Sequence, residues 1–188
     1  MKTEFEIVFT NINVEEIIIK IKKLWWECIK QNTLMKRVIY EKSKDAYARI
    51  RDEWDKITCT YKEINNCKLD DINCVKELET TVWNFDIMKN IFDKMWLKQK
   101  AYQETKREIW EINNEIELMI DIWPWLKPFI EIEGKTEKIV KKYSELLWFN
   151  YSEWIFWTVD QIYLKELWIK PDIINNLPEI TFENIPKK

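Results

Sequence analysis

Charged residues at alternate positions recur in segments that otherwise look apolar. Glu4 and Glu6, Arg49 and Arg51, Glu77 and Glu79, and Glu131 and Glu133 are each two residues apart, and that spacing puts both members on one face of an extended strand. Lys62 and Asp121 alternate with apolar neighbours in the same way. The opposite faces carry Ile, Leu, Phe, Tyr or Cys, so apolar faces packed under helices would leave the charged faces lining an interior. Only four arginines, Arg37, Arg49, Arg51 and Arg107, stand among 30 basic residues, and all four fall in strand-like segments. A lysine-rich chain that keeps arginine only there points to sites needing a planar donor fork, the geometry that matches phosphate oxygens. Carboxylate pairs between such cationic strands supply what a polyphosphate with Mg²⁺ or Mn²⁺ requires: oxygen ligands for the ion, and guanidinium and ammonium groups for the anion.

The elements that must carry these residues follow from periodicity. Strands are expected over 3–9, 34–41, 46–51, 56–63, 75–82, 99–112, 115–122 and 129–134. Asn13 with Glu16 forms a capping box ahead of an amphipathic helix carrying Ile17, Ile21, Leu24 and Cys28. Further helices are expected over 85–95, after Thr136 and after Thr158, and Asn113-Asn114 suits a hairpin turn. The expected fold is therefore α+β, an eight-stranded antiparallel barrel with flanking helices over 1–175, followed by an irregular tail over 176–188. Strands and helices do not alternate regularly, and neither GxGxxG nor GxxxxGK occurs even with each Trp read as Gly, which argues against dinucleotide-binding and P-loop folds.

Composition narrows the chemistry. The 188 residues contain no histidine, which removes His-based zinc sites and Ser/His or Cys/His nucleophile systems. A net charge of -3 gives no global cationic field for nucleic acid. Cys28, Cys59, Cys67 and Cys74 form no CxxC pair, and with no apparent leader or membrane span they are expected to be reduced thiols of a cytoplasmic protein.

Glycine and tryptophan are both anomalous. A chain of this length ordinarily carries about 13 Gly, whereas this one has a single Gly, Gly134, beside 12 Trp. Trp25, Trp96, Trp148 and Trp168 each follow a helical pattern at the position where a left-handed residue ends a helix, and Trp54 lies in a polar hairpin turn. These positions predict glycine in the native protein, as a UGA codon read as Gly in the source and as Trp under the standard code would produce. Trp110 and Trp123 sit in strand-like contexts that suit a true Trp.

In order and spacing the segments resemble the CYTH superfamily of triphosphate tunnel enzymes, which includes class IV adenylyl cyclases and thiamine triphosphatases. The resemblance runs over roughly 3–170. Glu4-Phe5-Glu6-Ile7-Val8 is similar to the family's Glu-x-Glu-x-Lys, with Val8 at the lysine position. Leu34-Met35-Lys36-Arg37, Ala48-Arg49-Ile50-Arg51, Thr60-Tyr61-Lys62-Glu63 and Lys76-Glu77-Leu78-Glu79 resemble successive family strands. So do Gln103-Glu104-Thr105-Lys106-Arg107-Glu108, Asp121 with Trp123-Pro124-Trp125-Leu126, and Phe129-Ile130-Glu131-Ile132-Glu133-Gly134. The resemblance implies Gly where this sequence has Trp54, Trp96, Trp125, Trp148, Trp157 and Trp168.

The resemblance implies a tunnel in which Arg37, Arg49, Arg51, Lys62, Lys106 and Arg107 bind the substrate and Glu4, Glu6, Lys62 and Arg107 take part in catalysis. It assigns divalent-metal binding to some of Glu4, Glu6, Glu77, Glu79, Asp121, Glu131 and Glu133. The implied partner is ATP, tripolyphosphate or thiamine triphosphate, turned over to cyclic AMP or hydrolysed. A non-catalytic polyphosphate-binding or nucleotide-binding module is the alternative, and a homodimer is compatible with either.

Overall fold

The computed structural model describes residues 1–43, 45–64, 72, 75–150 and 158–184. Its elements in chain order are β1 (Lys2–Thr3), β2 (Phe5–Phe9), α1 (Val14–Lys23), β3 (Glu27–Ser43), β4 (Ala46–Asp52), β5 (Ile57–Ile64), β6 (Val75–Val82), α2 (Phe85–Lys94), β7 (Gln99–Ile112), β8 (Ile116–Ile122), β9 (Phe129–Gly134), α3 (Glu137–Leu146), α4 (Val159–Leu167), α5 (Pro171–Ile174) and β10 (Glu179–Ile180). One antiparallel sheet runs β1-β6-β5-β4-β3-β7-β8-β9-β2. Its two ends are the two halves of one N-terminal strand, broken at Glu4, whose N–H donates to the Val75 carbonyl at 3.1 Å. Thr3 pairs with Lys76 on one side and Phe5 with Gly134 on the other, so this strand closes the sheet into a barrel. Counted as one strand, it makes the ring eight-stranded.

Closure sorts the residues by alternation. Ile7 and Phe9 point outward with Leu118, Ile120, Ile130 and Ile132, and α1 and α3 cover them through Ile17, Ile21, Val140, Tyr143 and Leu147. Phe92 of α2 covers Val38, Tyr40 and Ile50 on another part of the wall. A third cluster differs, because α4 and α5 bring Ile162, Tyr163 and Ile174 onto Val8, Trp123, Phe129 and Ile180. Val8 shares the Glu4 and Glu6 face, so here the helices pack against interior-facing residues. Asn13, Asn84 and Thr136 cap α1, α2 and α3 through side-chain bonds to the N–H three residues on.

Three sequence expectations need correction. β3 begins at Glu27 and not at 34, and it carries Cys28, which the helical pattern had included. Helix α1 stops at Lys23 because the chain turns left-handed at Trp25. The tail is ordered in part: Glu179 and Ile180 pair in parallel with Tyr102 and Gln103, and Ile180 and Thr181 are buried. Apolar contact with the barrel outweighs the Asn- and Pro-rich local signal.

Among the described residues, nine non-glycine positions have positive φ, and they are three Asn and six Trp. Asn113 and Asn114 make the expected hairpin turn. The tryptophans are Trp25, Trp54, Trp96, Trp125, Trp148 and Trp168, at φ of 61 to 76°. At the end of α4 the Ile169 N–H bonds six residues back to Tyr163, and at three other helix ends the residue after the left-handed Trp bonds five residues back: Trp26 to Ile21, Leu97 to Phe92 and Phe149 to Ser144. That bond marks the Schellman cap, whose left-handed residue is normally Gly. Trp26, Trp110 and Trp123 have negative φ and are buried. Trp157 and Trp154 lie outside the described residues, as do Cys67 and Cys74, while Cys28 and Cys59 are free thiols. No helix among the described residues is long and apolar enough to cross a membrane.

Candidate active site

The inward face of the ring encloses a cavity of about 660 Å³. Glu4, Glu6, Arg37, Arg49, Arg51, Lys62, Glu77, Glu79, Arg107, Glu131 and Glu133 all line it. Register explains the convergence. Arg37 pairs with Arg51 across β3 and β4, Lys62 with Glu77 across β5 and β6, and Glu6 with Glu133 across β2 and β9. Each pair shares a face, so a single alternation carries round the ring.

The four arginines of the chain meet in this cavity but are not equivalent. Arg107 is held by Asp121 and Glu131, with Nε on Asp121 Oδ1 at 2.6 Å and NH2 on both carboxylates. Burial opposes its charge, yet Asp121 and Glu131 keep its pKa well above the ordinary value. Arg51 donates to Glu53 Oε1 from Nε at 2.8 Å and from NH2 at 2.6 Å. Arg37 lies over the Trp123 ring, 4.0 Å from its centre, and among the described residues its only hydrogen bond is from Nε to Gln103 Oε1 at 3.0 Å, so the buried NH2 has no partner there. Arg49 reaches Thr60 at 3.4 Å and Glu79 at 3.8 Å, and its buried Nε is likewise unpartnered. Burial, with Arg49, Arg51 and Arg107 nearby, pulls Arg37 down to about 9. Buried donors without acceptors are costly unless a ligand supplies the acceptors. Arg37 and Arg49 therefore present an anion site with charge and open donors.

The acidic side is complementary. Glu4, Glu6 and Glu133 bring ligand oxygens within 4.8 Å of one another, as a divalent cation requires. Lys62 joins this group, donating to both Glu4 oxygens at 2.7 Å and approaching Glu77 at 3.5 Å. Burial, then Glu131 and Glu4, drive the Glu6 carboxyl well above its usual range. Burial, with Glu4 and Glu117, pushes Glu133 up to about 7. Mutual repulsion of this kind is relieved by a bound cation, so the donor set fits a hard, oxygen-ligated ion.

Two expected site residues stand apart. Lys106 is exposed on the outer face, its Nζ 5.0 Å from the centre of the Phe182 ring, because it neighbours the inward Arg107 on the same strand. Asp121 is 1% exposed and lies behind Arg107, committed to that guanidinium. Other residues went unnoticed in the sequence although alternation extends to them. Lys2 continues the Glu4-x-Glu6 face, Glu53 the Arg49-x-Arg51 face, and Gln103 the Arg107 face, and each lines the cavity.

The family model described as the CYTH domain matches residues 40–151. This chain belongs to the CYTH family. Solved structures agree in fold. A Pyrococcus horikoshii OT3 protein superposes with TM-score 0.67 at 24% identity, covering 80% of this chain and 93% of its own. A Vibrio parahaemolyticus protein described as a candidate adenylate cyclase gives 0.72 at 11%, covering 86% and 97%. A candidate adenylyl cyclase from Hippeastrum, found to have a dominant triphosphatase activity, gives 0.55 at 10%, covering 87% and 94%. No curated protein matches in sequence. At these identities the likeness to solved structures carries the CYTH fold alone, and the chemistry rests on the cavity.

Proposed function

We propose that the CYTH cavity binds the phosphate chain of a small-molecule triphosphate and promotes its cleavage in a reaction dependent on Mg²⁺ or Mn²⁺. The observation that carries this reading is the meeting of every arginine in the chain inside one closed barrel, beside an acidic trio of which Glu4 is buried and Glu6 and Glu133 are half-buried. Arg37 and Arg49 donate their open N–H groups to non-bridging phosphate oxygens, replacing acceptors they lack in the free protein. Arg51, Arg107 and Lys62 present charge that is already oriented by carboxylates, so stabilising negative charge as it develops needs little reorganisation. A divalent ion held by Glu4, Glu6 and Glu133 would supply electrophilic charge against the phosphate oxygens. The barrel wall keeps bulk water from the arginines and raises the strength of each contact.

Hydrolysis and cyclisation demand the same grip and differ in the nucleophile. The experiment is a panel of tripolyphosphate, ATP and thiamine triphosphate with Mg²⁺ or Mn²⁺, detecting orthophosphate and cyclic AMP separately. Metal-dependent release of either product is expected. One observation favours a second reading, a module that binds without turnover: Val8, at the position of the family lysine, is 4% exposed and packed against Trp123 and Tyr163. Saturable binding with no product from any substrate would establish it.

A further inference from the structure

The β4–β5 turn carries a buried carboxylate that the reading above does not use. Glu53 is 1% exposed and faces the cavity at the end of the Arg49-x-Arg51 alternation. Its Oε1 accepts from Arg51 Nε and NH2 and from Thr58 Oγ1 at 3.3 Å. Its Oε2 accepts from Lys30 Nζ at 3.2 Å, and Lys56 Nζ stands 3.7 Å away. Lys30 also binds the Glu53 carbonyl at 3.3 Å and Asp55 at 2.5 Å, tying the turn to β3.

We propose that Glu53 is a positioning residue that acts through Arg51, fixing the guanidinium so that its remaining N–H edge faces the phosphate chain. This rests on the triphosphate reading and adds a named residue to it. Two acceptor contacts to one oxygen fix both the tilt and the reach of the planar fork, which a single contact would leave free to rotate. Lys30 and Thr58 hold Glu53 from behind, so the carboxylate is not a mobile competitor for Arg51. The ionised form is strongly favoured: burial opposes it, but Arg51 and Lys56 bring Glu53 down to about 2. Arg37 and Arg49, with no such carboxylate at hydrogen-bond distance, remain the groups with open donors.

The test is a double-mutant cycle on tripolyphosphate binding by titration calorimetry with the full chain: wild type, E53A, R51A and the double variant, each checked by thermal melt. E53A is expected to weaken binding about tenfold, in line with losing the orientation of one charged hydrogen-bonding group. Adding E53A to R51A is expected to change affinity less than about twofold, because the residue it acts through is gone. E53Q keeps the shape and one acceptor, recovers part of the loss, and replaces E53A in the cycle if that variant fails to fold. Equal losses in both backgrounds would overturn the positioning role and leave the triphosphate reading intact. A wild-type protein that binds no tripolyphosphate would overturn both.

The backbone carries a second, independent inference. We infer that Trp25, Trp54, Trp96, Trp125, Trp148 and Trp168 are glycine in the native protein, whereas Trp26, Trp110 and Trp123 are tryptophan. The first six have left-handed backbone, and five of those rings are 80 to 93% exposed, with Trp125 between. The other three have ordinary dihedrals and rings 5 to 7% exposed. Gly134, by contrast, sits where an added Cβ would meet Ile116 Cδ1 at 2.9 Å, so close packing and not positive φ accounts for it. Nine of the ten tryptophans among the described residues fall into these two classes, as one codon pair with two meanings would leave, while Trp83, fully exposed but without positive φ, belongs to neither and is left unassigned. The test is to read the gene's codons and sequence the matching peptides from the source organism by mass spectrometry. UGA with glycine at the six and UGG with tryptophan at the three are expected. UGG at the six, or tryptophan in their native peptides, would overturn it.

Discussion

Within the cavity, the partners of each charged group decide its task. Arg37 has one hydrogen bond and an orphaned NH2, so Arg37→Ala is expected to lower tripolyphosphate affinity by about tenfold or more while the barrel stays folded. Lys106→Ala is the matched control, expected to leave affinity unchanged in the same calorimetric titration because its ammonium lies outside the barrel. Glu6→Gln removes ligand charge at nearly constant shape. It is expected to keep the native circular dichroism spectrum and abolish most divalent-ion-dependent turnover, and equal metal titration curves for both proteins would remove Glu6 from the site. Arg49-x-Arg51 was legible in the sequence because alternation is local. Glu53 was not, since Arg51-Asp52-Glu53-Trp54-Asp55-Lys56 reads as a solvated turn until the fold shows its central carboxylate buried. Lys106 was assigned to the site along with Arg107, though alternation admits only one of two neighbours.

At the scale of elements, helix ends are where this sequence conflicts with its own backbone. Three caps test the point together. Trp96, Trp148 and Trp168 have φ of 64, 67 and 61°, and their rings are 93, 80 and 86% exposed. Left-handed backbone costs a residue with a Cβ about 1–2 kcal/mol, and rings this exposed contribute little packing in return. The triple variant Trp96→Gly, Trp148→Gly, Trp168→Gly is therefore expected to be more stable, by about 1 kcal/mol per site before the unfolded-state entropy of glycine is subtracted. Denaturant unfolding measures it, and a loss of several kcal/mol would mean the rings pack in solution. The same variant is expected to aggregate less, since it removes exposed apolar area. Element identities and approximate ends were legible from periodicity and capping residues. The early start of β3 and the docking of β10 were not, because both depend on pairing with β7.

For the whole molecule, the acidic trio links stability to pH and to metal. Glu133 is raised to about 7 from an unfolded value of 4.5, so between those values the folded protein binds more protons than the unfolded chain. Stability without metal is thus expected to fall as pH rises from about 4.5 to 7 on this account, and Glu6 acts in the same direction. A divalent cation binding the ionised trio reverses the penalty and stabilises the fold by mass action. Thermal melts at pH 5.5 and 8 are expected to show a larger Mg²⁺-dependent rise in Tm at pH 8. Equal rises at both pH values would detach the trio from metal binding.

The sequence by itself determined which faces are charged, which residue types meet there and where the backbone demands glycine. Those are local properties, set by the two-residue repeat of a strand and by the sterics of a helix end. Only the tertiary structure decided which charges neutralise one another and which stay open. Asp121 and Glu131 are committed to Arg107, and Glu53 to Arg51, while Glu4, Glu6 and Glu133 converge with, among the described residues, just Lys62 paired to them. Spacing along the chain could not distinguish these carboxylates, because their partners lie on other strands and meet only through the register and closure of the ring.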